Sequence, residues 1–88
     1  MIDQTASFLL ELVRPLKIQT ISILWLEVEG MSGNFVIGAG HSPLISILKP
    51  KSFILYQNVN NEQVKIDVFS GGIVTIKEDG NVVLIMDN

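Results

Sequence analysis

Apolar and polar residues alternate along the chain in several short runs. The clearest cover residues 24–29, 64–68 and 74–77. Successive side chains of a β-strand point to opposite faces, so a period of two is typical of a strand with one buried face. Short apolar runs that read as further strands lie at 8–13, 45–48, 53–56 and 82–86.

Turn-forming residues separate these runs. They are Gly30, Gly33, Gly38, Gly40, Pro43, Pro50, Asn60-Asn61, Gly71-Gly72 and Asp79-Gly80. Asn-Asn and Asp-Gly tolerate the positive φ of tight hairpins. The only segment that competes as a helix is 6–16, which Pro15 would end early, so a strand is favoured there. The pattern predicts an all-β fold, a two-sheet antiparallel β-sandwich of about nine to ten short strands.

The run at 24–29 carries the one tryptophan. Its alternation places Leu24, Leu26 and Val28 inward and Trp25 on the opposite face. Trp25 is then either a core residue of the other sheet layer or an exposed anchor for a partner.

Size and composition restrict the function. The 88 residues are 48% hydrophobic and 17% charged, with no cysteine and a net charge of −3. We expect one domain, 1–88, that folds. Nucleic-acid binding requires a basic surface, and no Lys/Arg cluster is present. No apolar run approaches the roughly 18 residues of a membrane span, so we expect no membrane insertion and a cytoplasmic protein.

Residues for catalysis are scarce. His41 is the only histidine, and its neighbour Ser42 would point away from it on a strand or turn. Glu27 and Glu29 share a strand face, which is usually a solvated outer face. The glycines at 38–40 are followed by neither the lysine nor the helix of a phosphate loop. We therefore expect no catalytic residue, no metal, no cofactor and no nucleotide.

Two glycine-rich segments remain. The stretch from Gly30 to Gly40 is either a long irregular connection or a docking loop. Gly71 and Gly72 end one strand and begin the next, and at least one of them should have a positive φ.

Residues 40–44 read Gly-His-Ser-Pro-Leu and resemble the Gly-His-Ala-Pro-Leu signature of the epsilon subunit of F-type ATP synthases (delta in mitochondria). The resemblance runs from about Phe8 to Asp87. Other segments match in the family's order. The first are residues 11–15, the spacing of Ile23, Leu26, Val28 and Gly30, and the glycine at Gly33. The later ones are Leu-Lys-Pro at 48–50, Ser-Gly-Gly-Ile at 70–73 and the final strand at 81–84.

Four positions depart from the family pattern. Val36 and Lys51 stand where the family has glycine, Ala39 replaces proline, and Asn34 replaces an acidic residue. The family's carboxyl-terminal two-helix hairpin, which in some members binds ATP, has no counterpart in the 88 residues.

The resemblance implies a non-catalytic rotor subunit that links the gamma subunit to the membrane c-ring and turns with them. It implies a peripheral subunit at the cytoplasmic face of the plasma membrane. By analogy, Gly30, Met31, Ser32, Gly33 and Asn34 face the ring, while Arg14 and His41 lie near gamma, with Trp25 a further interface candidate. His41 is alternatively a hydrogen-bonded turn residue within the domain. Gly40, Pro43, Gly71 and Gly72 are structural turn residues.

Two other interpretations stay open. One is a free-standing sandwich module that binds proteins unrelated to the rotor. The other is a small enzyme that uses His41 with nearby carboxylates.

Overall fold

A computed structural model describes residues 6–88, and eight β-strands account for most of them. Residues 6–88 contain no helix that is long and apolar enough to cross a membrane. The strands are β1 (Phe8–Arg14), β2 (Lys17–Gly30), β3 (Gly33–Gly38), β4 (Leu44–Leu48), β5 (Ser52–Asn58), β6 (Gln63–Val68), β7 (Gly72–Ile76) and β8 (Val82–Met86).

The strands form two layers that share β2. One layer has the order β2-β1-β8-β7-β4, and the other has the order β3-β2-β5-β6. The first half of β2 pairs with β1 and the second half pairs with β3 and β5. A bridge between Gly30 and Leu48 joins β2 to β4, which closes the first layer on itself. All pairings are antiparallel except that of β1 with β8.

A β-bulge divides β2 between its two layers. The register with β5 shifts between Ile23 and Trp25. The extra residue changes which side chains point inward, because a strand's faces alternate with a strict period of two. Ile23, Leu26 and Val28 are therefore buried, whereas Leu24 is only half-buried. The prediction that Leu24 points into the core with Leu26 was wrong for this reason.

The space between the layers is filled by a single cluster of aliphatic side chains, with one tyrosine and one phenylalanine. β1 shows the pattern best, because Phe8, Leu10 and Leu12 are buried while Leu9 and Glu11 are exposed. Burying such side chains stabilises a fold by roughly 1.5–3 kcal/mol each.

The all-β prediction is confirmed, and residues 8–14 are a strand and not a helix. The described strands number eight where about nine to ten were expected. The glycine-rich stretch 30–40 is not an irregular connection, since it contains β3. The prediction that 1–88 is one domain stays a prediction.

Candidate interaction surface

A row of aliphatic side chains crosses the outer face of the first layer. Ile47 of β4 pairs with Ile73 of β7, which pairs with Ile85 of β8. Ile85 pairs with Val13 of β1, and Val13 pairs with Ile18 of β2. The four isoleucines are 45–67% exposed. We call these five residues the isoleucine row.

A second row runs beside it and is also poor in charge. Its members, in cross-strand order, are Ile45, Thr75, Val83, Glu11 and Thr20. Ile45 is 72% exposed, and Glu11 is the only charged residue of the two rows. We call the two rows together the apolar face.

The outer face of the second layer has a different chemistry. It carries Glu27, Glu29, Lys65 and Asp67. Glu29 pairs with Lys49 at 3.4 Å, and the Lys65 ammonium lies 4.5 Å from the centre of the Phe53 ring. Large contiguous apolar patches are rare on monomeric proteins and mark interaction sites. The contrast between the two faces therefore makes the apolar face a candidate interaction surface.

A groove of about 620 Å³ opens at one end of the isoleucine row, lined by Met31, Ile47, Leu48, Pro50, Ser70, Gly71, Gly72, Ile73, Ile85, Met86 and Asp87. Two glycines shape it. Gly71 has φ of 88°, which confirms the expected positive φ, and a Cβ there would lie 2.9 Å from the carbonyl oxygen of Leu48. At Gly72 a Cβ would collide with the carbonyl oxygen of Ile85. The groove keeps its shape because β4, β7 and β8 approach each other closely here.

The predicted docking loop borders this groove. Gly30 pairs with Gly33, so the turn between β2 and β3 consists of Met31 and Ser32 alone. The backbone N–H of Met31 donates to the carbonyl of Ile47 over 3.1 Å, and the Met31 side chain is 64% exposed, as expected. Asn34 follows in β3 and is exposed. The loop and the apolar face thus form one continuous surface.

Arg14 and His41, expected near the same partner, lie at opposite ends of β8. The Arg14 guanidinium Nε donates to the Asn88 carbonyl over 2.6 Å, just beyond the end of β8. His41 follows Gly40, whose backbone nitrogen lies near Gly80, before the start of β8. The His41 ring Nδ1 lies 2.8 Å from the Ser42 carbonyl oxygen.

Trp25 lies on the outer side of the second layer. It is half-buried, it pairs with Gly38 and Gln57, and it does not belong to the core cluster. Of the two alternatives for Trp25, the structure therefore excludes a core residue of the other layer. Gly40 has φ of 77°, which fits its expected role as a turn residue, and Pro43 lies in the same segment ahead of β4.

Polar chemistry is sparse on the described residues. Within 6–88 no group of three or more His, Asp or Glu side chains lies close enough to hold a metal ion. Burial raises the pKa of the Tyr56 hydroxyl, which is part of the core and not of a site.

The sequence analysis missed the isoleucine row. The runs 45–48 and 82–86 predict buried strands because, apart from Ser46, they are apolar. In a two-layer fold, each strand has one face toward the core and one toward solvent. A strand that is apolar on both faces therefore exposes every second apolar side chain. The sequence shows the isoleucines of each run, but it does not show the register that aligns Ile47, Ile73 and Ile85 across the strands.

Comparison with known proteins finds relatives over part of their length. No protein-family model matches the chain. The ATP synthase epsilon chain of Afipia carboxidovorans is 36% identical over 80 residues, which cover 90% of this chain and 57% of that protein. The ATP synthase epsilon chain of Bradyrhizobium sp. strain ORS 278 is 36% identical over the same shares of the two chains. The chain thus spans a little over half of the length of these relatives.

Solved structures share the fold. A chain of the Euglena gracilis mitochondrial ATP synthase, from a structure of its OSCP/F1/c-ring, aligns with a TM-score of 0.85 at 17% identity, over 100% of this chain and 54% of that chain. A chain of the Tetrahymena thermophila mitochondrial ATP synthase central stalk/c-ring aligns with a TM-score of 0.78 at 14% identity, over 98% of this chain and 67% of that chain. Over the region that they share, the chain is therefore homologous to the ATP synthase epsilon chains.

Proposed function

We propose that the chain is a non-catalytic central-stalk subunit of an F-type ATP synthase, which links the gamma subunit to the c-ring. In this role it is a peripheral subunit at the cytoplasmic face of the membrane, and it neither binds nor hydrolyses ATP. The observation that carries the proposal is the apolar face on a homologue of the ATP synthase epsilon chains. A contiguous apolar surface that is this poor in charge marks an interaction site.

The proposal assigns two surfaces to two partners. The apolar face meets gamma, because an aliphatic surface that crosses several strands suits a permanent interface between rotor subunits. The turn at Met31 and Ser32 faces the polar loops of the ring. Arg14, beside the end of β8, and His41, near its start, remain candidates for the gamma side.

The fold suits the transmission of torque. β2 runs through both layers, and the bridge between Gly30 and Leu48 closes the first layer. Because β2 belongs to both layers, the layers cannot slide past each other without deforming that strand. A load applied at the apolar face therefore reaches the turn at Met31 with little deformation.

The test places charge on the apolar face. In Ile73→Lys/Ile85→Lys, both lysines would be desolvated on binding, so we expect the affinity for purified gamma subunit to fall at least a hundredfold. Both isoleucines point outward and are about half exposed, so the fold should persist. The matched control is Val59→Lys, at a 49% exposed valine in the turn after β5.

Calorimetric titration with gamma gives the affinities, and circular dichroism checks that each variant is folded. If the double variant is folded and binds gamma like the control, the apolar face is not the interface. If the unsubstituted chain does not bind gamma, the rotor proposal itself is wrong.

A further inference from the structure

β3 is an edge strand with an open row of backbone groups. Among residues 6–88 it pairs with β2 and with no other strand. The pair Gly30 and Gly33 closes a two-residue turn, so it is a hydrogen-bonded pair. Hydrogen-bonded pairs alternate along an antiparallel ladder. The N–H and C=O groups of Asn34 and Val36 therefore point away from β2.

The second layer's other edge, β6, is protected in ways that β3 is not. β6 carries the charges of Lys65 and Asp67. The Asn88 side chain also covers its end, since its Nδ2 donates to the Asp67 carbonyl over 2.9 Å and its Oδ1 accepts from the Phe69 N–H over 3.2 Å. Proteins commonly protect edge strands by such charges and caps, because a bare edge pairs with other chains.

Within residues 6–88, β3 has neither charged side chains nor a side-chain cap. Its sequence, Gly-Asn-Phe-Val-Ile-Gly, contains no charge and no proline, and its register with β2 is unbroken by a bulge. Asn34 is exposed and Val36 is 43% exposed. The Gly38 carbonyl already accepts a hydrogen bond from the His41 N–H over 3.3 Å, which limits the open part to the stretch around Asn34 and Val36.

We propose that this edge binds an extended segment of the gamma subunit, which adds a strand to the second layer beside β3. Only an extended backbone presents donors and acceptors at the spacing of the open groups, and the exposed Val36 offers it an apolar contact. The open stretch suits a segment of about three to five residues. The edge begins at Gly33, two residues after Met31, so it continues the surface that the apolar face and the turn form. The inference rests on the proposed function for the identity of the partner.

Hydrogen–deuterium exchange at single-residue resolution tests the edge without any substitution. In the isolated chain, the amides of Asn34 and Val36 should exchange rapidly. In the complex with purified gamma they should slow at least tenfold, while the Lys65 amide on the other edge should not change. Slow exchange in the isolated chain, or unchanged exchange in a complex that forms, overturns the inference and leaves the rotor proposal standing. Failure of gamma to bind overturns both.

A substitution provides an independent test. Val36→Pro removes an N–H that points away from β2, so it leaves the ladder between β2 and β3 intact. Val36→Thr keeps that N–H and is the matched control. Because one hydrogen bond contributes on the order of 1 kcal/mol, Val36→Pro should bind gamma about fivefold more weakly than Val36→Thr. Equal affinities of the two folded variants would contradict strand addition, and if Val36→Pro does not fold, the exchange experiment decides.

Discussion

Lys51 adopts a backbone conformation that favours glycine. Its φ is 59°, in the turn between β4 and β5, and its N–H donates to the Phe69 carbonyl over 3.1 Å. The left-handed region costs a residue with a Cβ roughly 1–2 kcal/mol. Glycine avoids this cost, but its more flexible unfolded chain offsets part of the gain in stability. The resemblance places glycine here in the family, and the positive φ explains that preference.

We therefore predict that Lys51→Gly raises the free energy of unfolding by about 0.5–1 kcal/mol. Lys51→Ala is the control, because it removes the charge and the long side chain but keeps the strained φ. Urea unfolding followed by circular dichroism compares the two. A glycine variant no more stable than the alanine variant would show that the turn is not strained.

Gly72 has a different reason to be glycine. Its φ is not positive, but a Cβ would collide with the Ile85 carbonyl oxygen across the ladder between β7 and β8. The contact is between backbone atoms of two paired strands, which cannot move apart without breaking the ladder. Gly72→Ala should therefore lower the free energy of unfolding by about 2 kcal/mol or more. Ser70→Ala, on the exposed turn just before, should change it by less than about 0.5 kcal/mol. Thermal unfolding of both variants measures the difference, and a harmless Gly72→Ala would mean that the two strands can separate at no cost.

The hairpin of β2 and β3 is the element with the clearest functional expectation. Replacing Met31 and Asn34 with lysines places one charge in the groove and one on the outer face of β3, without touching the core. We expect unfolding to change by less than about 0.5 kcal/mol, while assembly with the ring and ATP-driven ion pumping decrease. If the folded double variant assembles and pumps normally, the turn between β2 and β3 does not contact the ring and only connects the two strands. Because the native contact is uncharged on this side, it should depend only weakly on salt.

Local pattern sufficed for the strands but not for how they are joined. Alternation and turn residues located β6, β7 and the end of β2, because each has one buried and one exposed face. The bulge after Ile23 could not be predicted, since it depends on how β2 passes between two layers. The parallel pairing of β1 with β8 joins the two ends of the chain, and local pattern carries no information on such distant contacts.

At the scale of the whole molecule, the two outer faces differ in kind. Ile47, Ile73 and Ile85 come from three separate runs of the sequence, and only the register brings them into one row. The resemblance to the epsilon subunits predicted the partners. It also predicted which end of the sandwich faces the ring, namely the end with the turn at Met31. The apolar face itself required the structure, because the position of each strand in its layer decides which aliphatic residues stay exposed.

The central claim is that the chain works as a rotor subunit, and its partners in the cell test this most directly. A tagged chain should be expressed in its own host, purified after mild detergent extraction, and its partners identified by mass spectrometry. The account predicts that gamma and c subunits are recovered with the unsubstituted chain and with Val59→Lys, and that gamma is lost from Ile73→Lys/Ile85→Lys. Recovery of neither subunit with a folded, unsubstituted chain would contradict the account and favour a free-standing binding module.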